Sequence, residues 1–119
     1  MKALTFETFG DAGVLEYREM EVPVPGVGQA LVRMRAIGLN FADIYRRRGN
    51  YHLVGDPPYV LGYEGAGVVE AINAATNAEG GGVTRYKVGD RVAFADWPHS
   101  NAEYVAVGLD HLIPLPDEI

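Results

Sequence analysis

The sequence predicts a mainly β fold, an open barrel or sandwich of short strands with one short helix, and two patterns predict it. Short runs rich in Val, Ile, Leu, Phe and Tyr recur along the 119 residues, punctuated by 15 glycines and 7 prolines, as expected of strands joined by turns. Only residues 41–48 place their apolar side chains at a helical period.

In chain order, residues 1–6 and 15–22 read as a first strand pair, with Gly10-Asp11-Ala12-Gly13 turning between them. Pro23, Pro25, Gly26 and Gly28 then break the chain. Over residues 30–37, Val32, Met34 and Ala36 alternate with Arg33 and Arg35, the pattern of a strand with one face in water. Residues 65–72 form another strand, in which Gly65 and Gly67 permit close backbone approach. Residues 73–82, NAATNAEGGG, are too small and polar to fix a conformation and read as a mobile hairpin loop. Strands at 91–94, 103–107 and 112–115 complete the set.

The helix at residues 41–48 has signals at both ends. Asn40 is a good N-cap, Asp43 is a first-turn charge, Arg46, Arg47 and Arg48 suit the last turn, and Gly49 suits a left-handed terminus. Phe41, Ile44, Tyr45 and Arg48 fall on one stripe, so Phe41 and Ile44 are expected to face the core.

Composition bounds the function. With 48% hydrophobic and 22% charged residues, the chain is ordinary for a soluble domain and long enough to bury roughly two-thirds of its unfolded surface. A formal charge of -6 argues against nucleic acid or an anionic membrane as partner, because both reward clustered cations. No cysteine is present, which removes disulfides and thiolate metal sites. His52, His99 and His111 are not spaced as ligands on one helix face. No segment approaches the ~20 apolar residues of a membrane span, and a cytoplasmic location is expected.

Three segments together carry a resemblance: Gly38-Leu39-Asn40-Phe41-Ala42-Asp43 with the following Tyr51, Gly62-Tyr63-Glu64-Gly65-Ala66-Gly67-Val68-Val69, and Lys87-Val88-Gly89-Asp90-Arg91-Val92. In this order they resemble the N-terminal GroES-like domain of the medium-chain dehydrogenase/reductases, from Met1 through Pro116. Metal-dependent members place a zinc-binding Cys where Asn40 stands and a His where Tyr63 stands. The resemblance is therefore to the zinc-independent quinone oxidoreductase, or zeta-crystallin-like, branch. It selects the partly open GroES-like barrel, and no structural-zinc lobe stands at residues 95–102.

The resemblance implies a single GroES-like domain at residues 1–119, with the Rossmann cofactor domain outside this chain. No G-x-G-x-x-G follows a strand here: the glycines of 62–67 have the wrong spacing, and Gly80-Gly81-Gly82 opens onto no helix. The implied activity is transfer of a hydride from NADPH to a quinone or enone, without a metal, in a cytoplasmic enzyme expected to be a homodimer when full-length. The chain alone is expected to fold without turning over. Without a metal, polarising a carbonyl falls to hydrogen-bond donors aimed at the developing enolate oxygen.

Asn40, Tyr45 and Tyr51 are the candidate donors, because they begin, line and follow the helix that resembles the substrate-cleft helix. Asn40 and Phe41 are expected to meet the nicotinamide end of the cofactor, and Tyr63 and Glu64 to stand in the substrate cleft. Each has a plainer role open to it: Asn40 as a helix cap, Tyr45 as core, Tyr63 as filler of the ligand's volume. Three other functions remain compatible with the sequence: a non-catalytic GroES-like binding or structural module, the enoyl-reductase module of a larger synthase and, weakest of the three, a zinc alcohol dehydrogenase.

Overall fold

A computed structural model describes residues 1–53, 55–76 and 82–119. It is mainly β, with open sheets that do not close into a barrel: the GroES-like architecture expected. Strands β1 (Lys2–Phe6) and β2 (Glu16–Glu19) pair antiparallel, joined by a 3-10 turn at Ala12–Val14 that Asp11 caps through the Gly13 N–H. A short strand β4 (Tyr59–Val60), for which the sequence carries no strand pattern of its own, adds to the other edge of β1.

The main sheet has five antiparallel strands. They are β3 (Gln29–Ile37), β5 (Gly65–Asn73), β8 (Arg91–Phe94), β9 (Tyr104–Gly108) and β10 (Leu112–Pro114), in the order β10-β8-β5-β3-β9. Its core is aliphatic and aromatic: Ala30, Val32, Val69, Val92, Val105 and Val107 pack with Phe94, Leu112 and Tyr86. The Tyr86 hydroxyl is satisfied by donating to the Leu112 carbonyl at 2.7 Å. Burying this many Val side chains on a pleated surface is what β-branched residues favour.

Two expectations fail in β3. Ala36 lies exposed rather than on the buried face with Val32, because the register against β5 slips between Met34 and Ala36 and the strict alternation ends there. Leu31 joins Ala30 and Val32 in the interior, so the middle of the strand is covered on both faces. Gly67 does permit close approach, since a Cβ there would strike the Arg33 carbonyl of β3.

Strands β6 (Ala75–Thr76) and β7 (Gly82–Val83) form a small antiparallel ladder, and β5 runs to Asn73, so both ends of the stretch read as a mobile hairpin loop are strand; residues 77–81 lie outside the described residues. Helix α1 (Phe41–Arg47) ends with Arg48 as its C-cap and Gly49 at φ +84, one residue short of the expected span. Among the described residues no helix is long and apolar enough to cross a membrane.

Candidate functional site

Helix α1 buries a different face from the one its apolar stripe suggests. Phe41 is 75% exposed and Tyr45 46% exposed, whereas Asp43 is 9% and Arg46 0% exposed. The expectation that Phe41 faces the core, and that Tyr45 lies on a buried stripe, is therefore wrong. Polar partners explain the inversion, because the segment beneath the helix offers backbone amides and carbonyls rather than an apolar surface.

Asp43 is the centre of this arrangement and not a mere first-turn charge. Its Oδ2 accepts the Asn40 N–H at 3.0 Å and its Oδ1 accepts the buried Gly62 N–H at 3.1 Å. The first bond is half of a capping box. The Asn40 side chain faces the Asp43 N–H in return without closing a hydrogen bond of normal geometry. The cap is thus made mainly by Asp43.

The Gly62 turn is fixed from the other side as well. The Gly62 carbonyl accepts the His99 N–H at 2.9 Å, the Tyr63 carbonyl accepts the Trp97 N–H at 3.1 Å, and the Leu61 carbonyl accepts the Asn101 N–H at 2.9 Å. Gly62 has φ +101, and a Cβ there would collide with Ser100 and with the Asn101 backbone nitrogen, so the position needs glycine on both counts.

Arg46 lies below this turn. Its Nη1 donates to the Val60 carbonyl at 3.1 Å, and its Cζ stands 5.0 Å from the centroid of the Tyr63 ring. Burial lowers the Arg46 pKa from its ordinary value, against the opposing influence of Tyr63 and Asp43. Burial raises the Tyr63 pKa; Arg46 opposes the rise, and Tyr51, Asp43 and Asp96 add to it. Tyr63 is a neutral phenol at ordinary pH. Its hydroxyl donates to the His52 carbonyl at 3.3 Å, and its ring meets the Tyr51 ring edge-on at 5.6 Å.

The expected site residues fall into separate groups. Asn40 and Phe41 line a cavity of about 570 Å³ together with Leu4, Leu15, Leu39, Asp43, Ile44, Arg47, Leu61 and Asn101. Tyr45, Tyr51, Tyr63 and Glu64 do not line it. Tyr51, 46% exposed, and Tyr63 form a pair of their own. Glu64 lies in a recess of about 270 Å³ at the ends of β3, β5 and β8, with Gly38 and Phe94; its carbonyl accepts the Gly38 N–H at 3.1 Å. Tyr45 stands on the open face of α1.

Sequence reasoning missed Arg46, which it grouped with Arg47 and Arg48 as last-turn charges, and undervalued Asp43. The available signal was the spacing of Asp43 three residues after Asn40, which is that of a capping box. Among the described residues, no group of three or more His, Asp or Glu side chains is arranged to hold a metal ion.

Comparison with known proteins places these features in a context. Residues 26–117 match the family described as Alcohol dehydrogenase GroES-like domain. A quinone oxidoreductase of Pseudomonas aeruginosa is 45% identical over 119 residues, covering 99% of this chain and 34% of that protein. The crystal structure of a Pseudomonas syringae quinone oxidoreductase superposes with a TM-score of 0.87 at 42% identity, covering 99% of this chain and 34% of the other. An Escherichia coli quinone oxidoreductase complexed with NADPH gives a TM-score of 0.85 at 30% identity, covering 100% of this chain and 34% of that one. The chain therefore spans about a third of the length of these relatives.

Proposed function

We propose that this chain, which belongs to the alcohol dehydrogenase GroES-like domain family of the medium-chain dehydrogenase/reductases, is the substrate-side domain of a metal-free quinone or enone reductase. The cofactor would be NADPH, held mainly by a Rossmann domain outside these residues. The observation that carries the reading is the chemistry at Asn40 and Tyr63. At the two positions that the family resemblance matches to the ligand positions of metal-dependent members stand an amide and a neutral phenol, both hydrogen-bond donors.

NADPH, when bound, supplies a hydride to the substrate carbon. Asn40 and Phe41 fit an encounter with its nicotinamide end, because they border an open cavity at the start of α1 and Phe41 is left uncovered. This chain's own task is to hold the substrate oxygen. As negative charge grows there, fixed donors in a partly dry site stabilise it without reorganising. The Asn40 NH2, at the cavity, is the proposed principal donor; Tyr51 and Tyr45, partly exposed and outside that cavity, are proposed as donors only to a substrate that extends beyond it. Tyr63 and Glu64 would shape the cleft walls, and the proton that completes the reduction would come from solvent or a tyrosine. A soluble cytoplasmic homodimer is the proposed full-length state.

The test uses the full-length protein with NADPH and a panel of quinones and enones. Quinone-dependent NADPH oxidation, unaffected by dialysis against chelator and without stoichiometric zinc on elemental analysis, is the expected result. Activity restored only by added zinc would sink the metal-free reading. The 119-residue chain under the same conditions should not oxidise NADPH, having no phosphate-binding loop of its own.

A further inference from the structure

Of the three consecutive arginines, Arg46 alone is wholly buried, and it is incompletely paired: Nη1 meets the Val60 carbonyl, while Nε and Nη2 have no hydrogen-bond partner among the described residues. A buried cation in this condition opposes folding unless some other contact offsets its desolvation. The contact it makes instead is with the Tyr63 ring at 5.0 Å, within the range of a cation–π interaction.

We infer that Arg46 is a positioning residue, which holds the Tyr63 ring from beneath and, through it, sets the Tyr51 phenol. The path is short and each step is a contact. Tyr63 is pinned along its backbone by the Trp97 N–H, beneath its ring by Arg46, and at its hydroxyl by the His52 carbonyl. Tyr51 lies edge-on to both the Tyr63 ring, at 5.6 Å, and the His52 ring, at 5.8 Å. The loop bearing Tyr51 is therefore braced against a ring that the buried guanidinium supports.

The charge matters as well as the shape. Asp43, Tyr51 and Asp96 join burial in keeping Tyr63 protonated, and Arg46 works against them. A phenol next to a fixed positive charge remains neutral yet becomes a stronger hydrogen-bond donor. Use of Tyr51 as a donor to substrate rests on the function proposed above; the positioning itself does not.

Tyrosine 13Cζ NMR of the chain, with Tyr51→Phe and Tyr63→Phe assigning the two signals, tests this. In Arg46→Lys, which keeps the charge but loses the planar face, the Tyr51 and Tyr63 signals should both shift while Tyr17 and Tyr86 stay in place. In Arg46→Met, which loses the charge, the Tyr63 titration should move to higher pH. Unmoved Tyr51 and Tyr63 signals in both variants would overturn the inference. Should neither variant fold, the unmutated chain decides, by the presence or absence of nuclear Overhauser contacts from the Arg46 guanidinium to the Tyr63 ring and from Tyr63 to Tyr51. In the full-length protein Arg46→Lys should lower kcat, on the order of a hundredfold, with KM unchanged. If Tyr51→Phe leaves turnover intact, the donor role fails while the NMR result stands.

Discussion

The interior of the five-stranded sheet is almost wholly apolar, whereas the ground beneath α1 is ionic. Val32, Val92, Val107 and Phe94 are at most 2% exposed in the first region; Asp43 and Arg46 are at most 9% exposed in the second. Apolar burial is tolerant of direction and supplies stability in proportion to area. A buried carboxylate that accepts two backbone N–H groups supplies less net stability but allows one geometry only. The sheet holds the domain together, and the Asp43–Arg46 face fixes where the Gly62-Tyr63 turn and the Asn40 cap stand.

Truncating the apolar region should cost most. Phe94→Ala should lower unfolding stability by about 3–5 kcal/mol, through lost transfer free energy and the cavity left behind. Urea denaturation followed by the single Trp97 checks this. A cost comparable to that of an exposed substitution would mean that the sheet interior is not the main core.

Asp43→Ala should come next, at about 2–3 kcal/mol, because it strands the buried Gly62 N–H and releases the Asn40 N–H. Asp43→Asn, which retains an acceptor oxygen, should recover part of the loss. If Asp43→Ala proves nearly neutral, the ionic region is decoration and the contrast with the sheet collapses.

Asn40→Ala sharpens the contrast by separating scaffold from site. Since Asp43 makes the well-formed half of the capping box, the substitution should cost less than the roughly 1 kcal/mol usual for a cap. In the full-length protein it should nonetheless lower turnover on the order of a hundredfold, through loss of an oxyanion donor. Asn40→Asp, which keeps an acceptor but repels the enolate, should be stable and still slow. Turnover restored in Asn40→Asp would make Asn40 a helix cap only.

The same contrast explains what was legible in the sequence. Strands of the apolar region announce themselves: β8 begins and ends as expected at Arg91 and Phe94, and β1 and β3 are correct to one residue at each end. The helix limits are equally plain, because Asn40, Asp43 and Gly49 are local signals. The buried face of α1 was not legible. Apolar residues mark a core only where the opposing surface is apolar, and here the opposing surface is the backbone of residues 60–62, which selects Asp43 and Arg46. The two-residue strand β4 escaped notice for a related reason, since β1, not its own pattern, makes it a strand. Of the site, Asn40 with Phe41 and Tyr51 with Tyr63 are paired in space, while Tyr45 and Glu64 stand apart.

The smallest effect belongs to the polar groups of the sheet region, which stay outside. In the turn before β8, Lys87 Nζ lies 2.8 Å from Asp90 Oδ1, and the Lys87 N–H donates to Asp90 Oδ2 at 3.0 Å. The Lys87 side-chain hydrogen bond, with help from its backbone N–H, lowers the Asp90 pKa from 3.8, and the same side-chain bond raises the Lys87 pKa from 10.5. A depressed carboxylate stabilises above its unfolded pKa, and that contribution is lost as pH falls through the folded value. A raised amine stabilises below its unfolded pKa and loses the contribution as pH rises through the folded one. The pair therefore contributes a plateau between about 3.8 and 10.5. Lys87 is exposed to solvent and Asp90 half-buried, so salt should erode the plateau. Lys87→Met should lower the melting temperature slightly across that window, and the difference from the parent should shrink at acid pH as Asp90 takes up its proton. Asp90→Ala should cost more than Lys87→Met, because it also removes the acceptor for the Lys87 N–H. Equal costs would show that the ion pair alone matters in this turn, and that its backbone bond, unlike those of Asp43, contributes nothing.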